Sequence, residues 1–346
     1  MTDSQLKLSQ LRQYQAMPLS AKVRLSEVRI REWYEAFDGM VYVAFSGGKD
    51  STVLLDLVWS LYPNVPAVFA DTGNELESVL EFVRSYEDRV VWVKPKMTFE
   101  QVVEKYGYPV ISKRISDYVN RLRRTKSAQV VRRLTKGQNA DGSPSPMSKI
   151  PSKWQFLKDA PFDVTNKCCG HLKFRPTSEY ANTTGRKAIT GVMASESNQR
   201  LNSYLNRGGC NAFDQSDKTS RPIMFWVEQD VLQYITERGL PIASAYGDIT
   251  ETEGLLKCSG EHRTGCKFCL FGIQFDKGEN RIQRLARIEP ESYRHAIEDL
   301  HYDEVMDYLC IDWKPVSPVH MQEQSCFDLS DRLAGRMNDG ERQERE

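Results

Sequence analysis

Ser46-Gly47-Gly48-Lys49-Asp50-Ser51-Thr52 is the stretch on which the reading of this chain turns. It follows the apolar run Val41-Tyr42-Val43-Ala44-Phe45 and precedes a helical pattern with Val53, Leu54, Leu57, Val58 and Leu61 on one face. An apolar strand, a glycine turn and a helix start in succession make an arrangement that holds a phosphate. The two glycines let backbone N–H groups approach the anion, and Lys49 adds positive charge. The spacing does not fit GxxxxGK[ST], so this is not the common P-loop. The plain alternative is an ordinary polar turn between a strand and a helix.

Outward from the loop, strand and helix patterns alternate. Residues 41–45 lead into a helix at 51–61, 67–71 into one at 76–86, and 90–93 into one near 99–106. This β-α-β-α-β order predicts an α/β fold with a parallel, doubly wound sheet. Ligands of such sheets sit beyond the carboxyl ends of the strands, where 46–51 and Asp71-Thr72-Gly73-Asn74 fall. A further strand is expected at 188–192 and a helix at 225–238. Residues 5–37 read as one or two amphipathic helices, and 280–310 as helical, with Cys310 packed in that run. The expected divisions are an N-terminal helical segment (1–37), an α/β domain (38–255) with a basic insert (113–152), a Cys-rich element with C-terminal helices (256–330), and a charged tail (331–346).

The chain has 346 residues, 40% of them hydrophobic, and a formal net charge of zero, so no global field favours nucleic acid or a membrane surface. No apolar run reaches the length of a membrane span, and the first residues lack the apolar core of a secretory signal. A cytoplasmic protein without a membrane partner is the expectation. Charge is nevertheless uneven: residues 113–136 hold nine Lys or Arg and one acid, Asp117. Arg121, Arg123, Arg124, Lys126, Arg132 and Arg133 suit the phosphates of tRNA or DNA; a solvated helix face or an interdomain clamp is the plain reading. Residues 137–152, rich in Gly, Ser and Pro, read as a flexible loop.

Eight cysteines in a chain without a secretion signal point to metal or redox chemistry before disulfides. Cys168-Cys169 and Cys266-x-x-Cys269 supply four thiols in two pairs. Four thiolates hold an iron–sulfur cluster, while a CxxC is also half of a structural zinc site. Cys258, His171 and His262 are close enough in sequence to substitute as ligands, and Lys267 and His262 to tune the site from outside. Cys210 reads as a turn or core thiol.

Six blocks in chain order resemble the phosphoadenosine phosphosulfate reductase family, within the Rossmann-like (HUP-type) adenine-nucleotide α-hydrolase superfamily that also holds the N-type ATP pyrophosphatases. They are Ser46-Gly47-Gly48-Lys49-Asp50-Ser51; Phe69-Ala70-Asp71-Thr72-Gly73; Cys168-Cys169 with Lys173 and Pro176; Thr190-Gly191-Val192-Met193-Ala194-Ser195-Glu196-Ser197 with Arg200; Pro222-Ile223, Trp226 and Gln229-Asp230-Val231 with Tyr234-Ile235; and Thr264-Gly265-Cys266-Lys267-Phe268-Cys269. The resemblance implies that Ser46 to Ser51 cradle the phosphates of ATP or another adenine nucleotide, with Asp50 able to ligate Mg2+. It implies that Asp71, Thr72, Gly73 and Gly191 adjoin the nucleotide, and that Lys113, Lys173 and Arg200 face phosphate or sulfate. Lys49, Asp50, Lys173 and Arg200 would then be the catalytic set. An adjacent cysteine pair with a distant CxxC is the pattern of the iron–sulfur sulfonucleotide reductases, which implies a [4Fe–4S] cluster, with zinc left open.

The pattern departs from the reductases at one point. They carry a nucleophilic cysteine in a C-terminal Glu-Cys-Gly-Leu-His motif, which is absent here. Cys326, in Gln324-Ser325-Cys326-Phe327-Asp328, is the nearest candidate. The departure favours ATP-pyrophosphatase-type adenylation coupled to sulfur transfer onto an acceptor, a nucleic acid among the candidates. Sulfonucleotide reduction is the alternative, and a non-catalytic nucleotide or nucleic-acid-binding protein is the reading from another class. A sulfur donor or reductant protein is the expected partner, in a homo-oligomer or complex.

Overall fold

The computed structural model describes residues 3–207, 209–213 and 218–316. Two helices, α1 (Asp3–Gln15) and α2 (Leu19–Ala36), precede β1 (Val41–Ala44), α3 (Lys49–Leu61), β2 (Ala67–Ala70), α4 (Glu77–Arg84) and β3 (Val90–Val93). Then come α5 (Phe99–Tyr106), β4 (Val110–Ile111), α6 (Lys113–Arg124) and α7 (Ala128–Lys136). After a single π-helical turn, Gly170–Phe174, the chain forms α8 (Arg175–Thr184), β5 (Lys187–Thr190), α9 (Asn198–Arg207), β6 (Thr219–Ser220), α10 (Glu228–Arg238) and the antiparallel hairpin of β7 (Ile249–Thr252) and β8 (Leu255–Cys258). It ends in β9 (Leu270–Phe271), α11 (Arg281–Ile288), α12 (Pro290–Glu298) and α13 (Tyr302–Tyr308).

These elements fall into two compact units, each built from two stretches of chain. Unit 1 comprises Met1–Lys96 and Leu172–Gly265; unit 2 comprises Met97–His171 and Cys266–Glu346. Unit 1 holds a five-stranded sheet in the order β3-β2-β1-β5-β6. Every pairing in it is parallel, with Val43 opposite both Ala67 and Ile189. The apolar strand residues Val41, Val43, Val68, Phe69 and Ile189 are buried, as are Val53, Leu54, Leu57 and Val58 of α3. Near-continuous apolar runs of this kind suit a parallel sheet covered by helices. The expected α/β fold with a parallel sheet is therefore the fold observed.

Unit 2 pairs β4 with β9 in parallel and packs its helices around Val102, Val119, Leu134, Leu270, Ile282 and Tyr302. The expected helical region at 280–310 is three helices. Pro290 opens α12, and His301, with φ of +49°, breaks the chain before α13. Cys310 accordingly lies past α13 in a turn with φ of +55°, not in a packed helical run. The 137–152 segment is held by backbone bonds from Ser145 to Gly137 and from Asn139 to Ser143. No helix among the described residues is long and apolar enough to cross a membrane. Cys326 and the charged tail lie outside the described residues.

Candidate functional site

The loop after β1 runs directly into α3, with Gly48 as the cap residue. Gly47 has φ of +69°, and a methyl group there would stand 2.7 Å from Val79 Cγ1 and 2.8 Å from Val83 Cγ2. Glycine is thus required both by the left-handed backbone and by the close approach of α4. Two serines hold the shape of the turn: Ser46 N–H donates to Ser51 Oγ at 3.2 Å, and Ser51 Oγ donates to the Gly48 carbonyl at 2.8 Å. Gly191, at the end of β5, completes the support, since a Cβ there would meet the Asp50 carbonyl at 3.0 Å. Its contribution to the loop is the room it leaves for the backbone.

Lys49 lies inside unit 1 with its side chain 5% exposed. Its ammonium group stands 3.2 Å from Glu228 Oε1, 3.7 Å from Asp50 Oδ1 and 3.3 Å from the His262 carbonyl, to which it donates. Its backbone N–H donates to Tyr246 Oη at 3.2 Å, and that hydroxyl shares a hydrogen bond with Thr264 Oγ1 at 2.7 Å. Burial works against the charge of Lys49, but Asp50, Tyr246 and Glu228 together outweigh it and leave its pKa raised. Burial pushes the Asp50 carboxyl up, and Glu228 adds to this; Lys49, Arg263 and Arg200 oppose it without cancelling it. Asp50 Oδ1 is buried and has no hydrogen-bond partner among the described residues. A carboxylate oxygen in that condition suits a divalent cation such as Mg2+.

Arg200 and Arg263 both pair with Glu196, Arg263 at 2.8 Å. Burial and the neighbouring Arg263 lower the pKa of Arg200. Beyond β2, Asp71 pairs with Lys94 at 3.6 Å, and its Oδ1 accepts from Gly73 N–H at 3.3 Å. Glu75 accepts from the Thr72 N–H and hydroxyl, and stands 3.5 Å from Lys173 Nζ. Asn74 is 1% exposed, and neither atom of its amide has a partner among the described residues. Unsatisfied buried amides are uncommon and call for a ligand or a water. Lys113 belongs to unit 2, where it is the first residue of α6.

Sequence patterns did not single out Glu228, Arg263, Tyr246 or Thr264 as site residues. Beside the loop they come from separate segments, so no local spacing could mark them. Cys258, considered as an alternative metal ligand, lies in unit 1 at the end of β8. Burial raises its pKa; Lys49 opposes this, and Glu228 and Asp50 reinforce it. His262 Nδ1 stands 3.1 Å from Glu228 Oε1.

The four thiols of the two sequence pairs, Cys168, Cys169, Cys266 and Cys269, belong to unit 2. Cys168 and Cys169 lead into the π-helical turn, a feature frequent at functional sites. The pKa of Cys168 is raised by its hydrogen bond to Cys169, by burial, and by the charges of Cys169, Cys269 and Cys266. Cys269 is pushed up to about 11 by burial, with Cys266 and Cys169 adding to it. Buried Tyr302, whose hydroxyl donates to the Phe268 carbonyl, feels Cys269, Cys168 and Cys266. All four thiols therefore act on one region of unit 2. Among the described residues no group of three or more His, Cys, Asp or Glu side chains is placed to hold a metal ion. The donor set nevertheless has the chemistry of an iron–sulfur site: four soft sulfur donors that ligate iron as thiolates. Of the neighbours, Lys267 pairs with Glu289 at 3.0 Å, and His171 packs its ring on Tyr106 at 4.9 Å. Cys210 is buried in unit 1 and pushed up to about 12 by that burial.

With a parallel sheet, a glycine-supported loop at the end of its central strand and a buried lysine beside it, the chain belongs to the phosphoadenosine phosphosulfate reductase domain family, which matches residues 40–143 and 113–261. It is similar to an adenosine 5'-phosphosulfate reductase of Staphylococcus haemolyticus, with 22% identity over 240 residues, or 66% of this chain and 75% of the relative. An uncharacterized protein of Methanocaldococcus jannaschii is 40% identical over 85 residues, covering 23% of this chain and 18% of its own. Among solved structures, the phosphoadenylyl-sulfate reductase of Candida auris in its phosphate complex has 17% identity and a TM-score of 0.39, covering 71% of this chain and 94% of its own.

Proposed function

We propose that this chain is an enzyme of sulfur metabolism that seats an adenosine sulfonucleotide on residues 46–51 and reduces it. The observation that carries this reading is the buried Lys49, whose three oxygen neighbours stand no closer than 3.2 Å. A phosphate oxygen can displace Glu228 and take a shorter, charge-assisted contact. The positive end of the α3 dipole favours an anion at the same place. Family membership and the reductases among the relatives support a sulfonucleotide as the ligand. The reaction requires a thiolate that attacks the sulfur while the bond to the adenosine phosphate breaks and the phosphate leaves with the electron pair. A dithiol reductant then releases sulfite from the S-sulfocysteine and is itself oxidised to a disulfide. Cys326 is the candidate nucleophile. In this reading the protein works in the cytoplasm beside a reductant protein.

Cys168, Cys169, Cys266 and Cys269 would hold the [4Fe–4S] cluster as thiolates, and when bound it supplies redox-active iron. Iron and acid-labile sulfide near four each per chain after anaerobic purification would support it. Stoichiometric zinc without sulfide would replace it with a structural site.

The unpartnered oxygen of Asp50 favours a second reading: ATP held with Mg2+, adenylation of an acceptor such as a nucleic acid, and sulfur transfer onto it. Lys49 would then stabilise the departing pyrophosphate. The two readings separate in one assay. Release of sulfite and AMP from adenosine phosphosulfate, with a dithiol present and lost in Cys326→Ser, supports reduction. Mg2+-dependent release of pyrophosphate from ATP supports adenylation, and binding without turnover in either assay leaves a sensor.

A further inference from the structure

The nucleotide reading leaves one charged surface of unit 2 unused. α6 and α7 each begin on a serine cap: Ser112 Oγ accepts from Ile115 N–H at 3.2 Å, and Ser127 Oγ from Val130 N–H at 3.5 Å. α6 turns Ile115, Ser116 and Val119 inward, and α7 turns Leu134 inward. At about 100° per residue, Lys113, Arg114, Arg121 and Arg124 fall on the opposite face of α6. Arg132, Arg133 and Lys136 fall on the corresponding face of α7. These seven, and Lys126 between the helices, are exposed. Arg123 is held at the end of α6: it donates to the carbonyls of Phe162 at 2.6 Å and Ala160 at 3.1 Å and stands 3.5 Å from Asp163. Asp117, the one acid of the segment, reaches Arg121 at 3.8 Å.

Solvated helix faces gain from acids and bases interleaved at i,i+4, and faces of one sign repel themselves. With Lys113, Arg114, Arg121, Arg124, Lys126, Arg132, Arg133 and Lys136 exposed against the single acid Asp117, this surface is strongly net positive and matched to an external polyanion. Tyr118 is the one aromatic residue in 113–136 and is half-buried, so the surface lacks a platform for unstacked bases. From Lys113 to Arg124 the helix runs about 16 Å, longer than the roughly 12 Å width of a major groove. We infer that the outer faces of α6 and α7 form a binding site for the phosphate backbone of a double-helical nucleic acid. The inference rests on unit 2 alone and stands apart from the nucleotide reading.

The test uses the full chain and fluorescence anisotropy with a labelled mixed-sequence DNA duplex, its single strand and a folded tRNA, at about 50 and 200 mM salt. Duplex or tRNA affinity should fall by roughly 10³-fold or more across that range if six or more phosphates are engaged. In Arg121→Gln/Arg124→Gln/Lys126→Gln/Arg132→Gln the log–log salt slope should shrink by about 0.9 for each duplex phosphate that is no longer neutralised. An unchanged far-UV spectrum and melting temperature would show that the variant is folded. No duplex or tRNA binding at the lower salt, an unchanged slope in the variant, or single strand bound as tightly as duplex would overturn the inference.

Discussion

Two lysines of unit 1 are almost equally buried, at 2% and 5% side-chain exposure, yet they are held in opposite ways. Lys22 lies 2.7 Å from both oxygens of Asp230, and Asp230 Oδ2 also accepts from Val227 N–H at 2.7 Å. Lys49 shares three more distant oxygens, one of them on Glu228. Both acids belong to the first turn of α10, where the helix dipole favours negative charge. One helix start thus closes one ion pair completely and leaves the other open. The closed pair has no capacity for a ligand. The open one keeps a charge inside the protein at a desolvation cost that an arriving anion offsets.

The comparison can be broken most directly at Lys22. Lys22→Ala strands Asp230 in the interior and should cost about 3–5 kcal/mol in urea unfolding; a loss below about 1 kcal/mol would remove the distinction. Lys49→Ala should leave stability within about 1 kcal/mol and weaken adenine-nucleotide binding by calorimetry about 100-fold, or about 2.7 kcal/mol. If stability falls instead and affinity holds, Lys49 is a structural residue. Gly47→Ala should cost about 1–3 kcal/mol through strain and the clash with Val79 and Val83. Gly73→Ala meets no atom within 4 Å, so it should cost only the roughly 1–2 kcal/mol of the left-handed backbone.

The smallest effect concerns pH. The Asp50 carboxyl is raised in the folded state, so the folded chain binds its proton more tightly than the unfolded chain does. Its contribution is fully present below the unfolded pKa and is lost as pH rises through the folded value. The stability of wild type relative to Asp50→Asn should therefore decline with rising pH across that window. A difference that stays flat across an acid-to-neutral unfolding series would place Asp50 in an ordinary solvated setting.

Much of the sheet was legible because β1, β2 and β3 are apolar runs bounded by turn residues. The two-residue strands β4, β6 and β9 are too short for a period to register. The β7–β8 hairpin is mostly exposed, so Ile249–Thr252 carries no alternation of burial. The same contrast holds at the site. Ser46 to Ser51 are consecutive and announce themselves, whereas Glu228, Tyr246, His262 and Arg263 reach the loop from about two hundred residues away. Their residue types are common on any surface, and only the fold gives them a role. The four cysteines were legible by their spacing, but that Cys169, Cys266 and Cys269 act on Cys168 required the fold of unit 2.

The division of each unit into two stretches also has a consequence in time. The thiols at 168–169 and 266–269 are separated by roughly a hundred residues, nearly all of which belong to unit 1. At a synthesis rate of about 5–20 residues per second, the second pair leaves the ribosome some 5–20 seconds after the first. Within that interval β5 and β6 emerge and can join β1 to complete the sheet. The order of birth therefore allows the nucleotide sheet to form before the thiol site, and Cys168 and Cys169 face cellular oxidants during the wait.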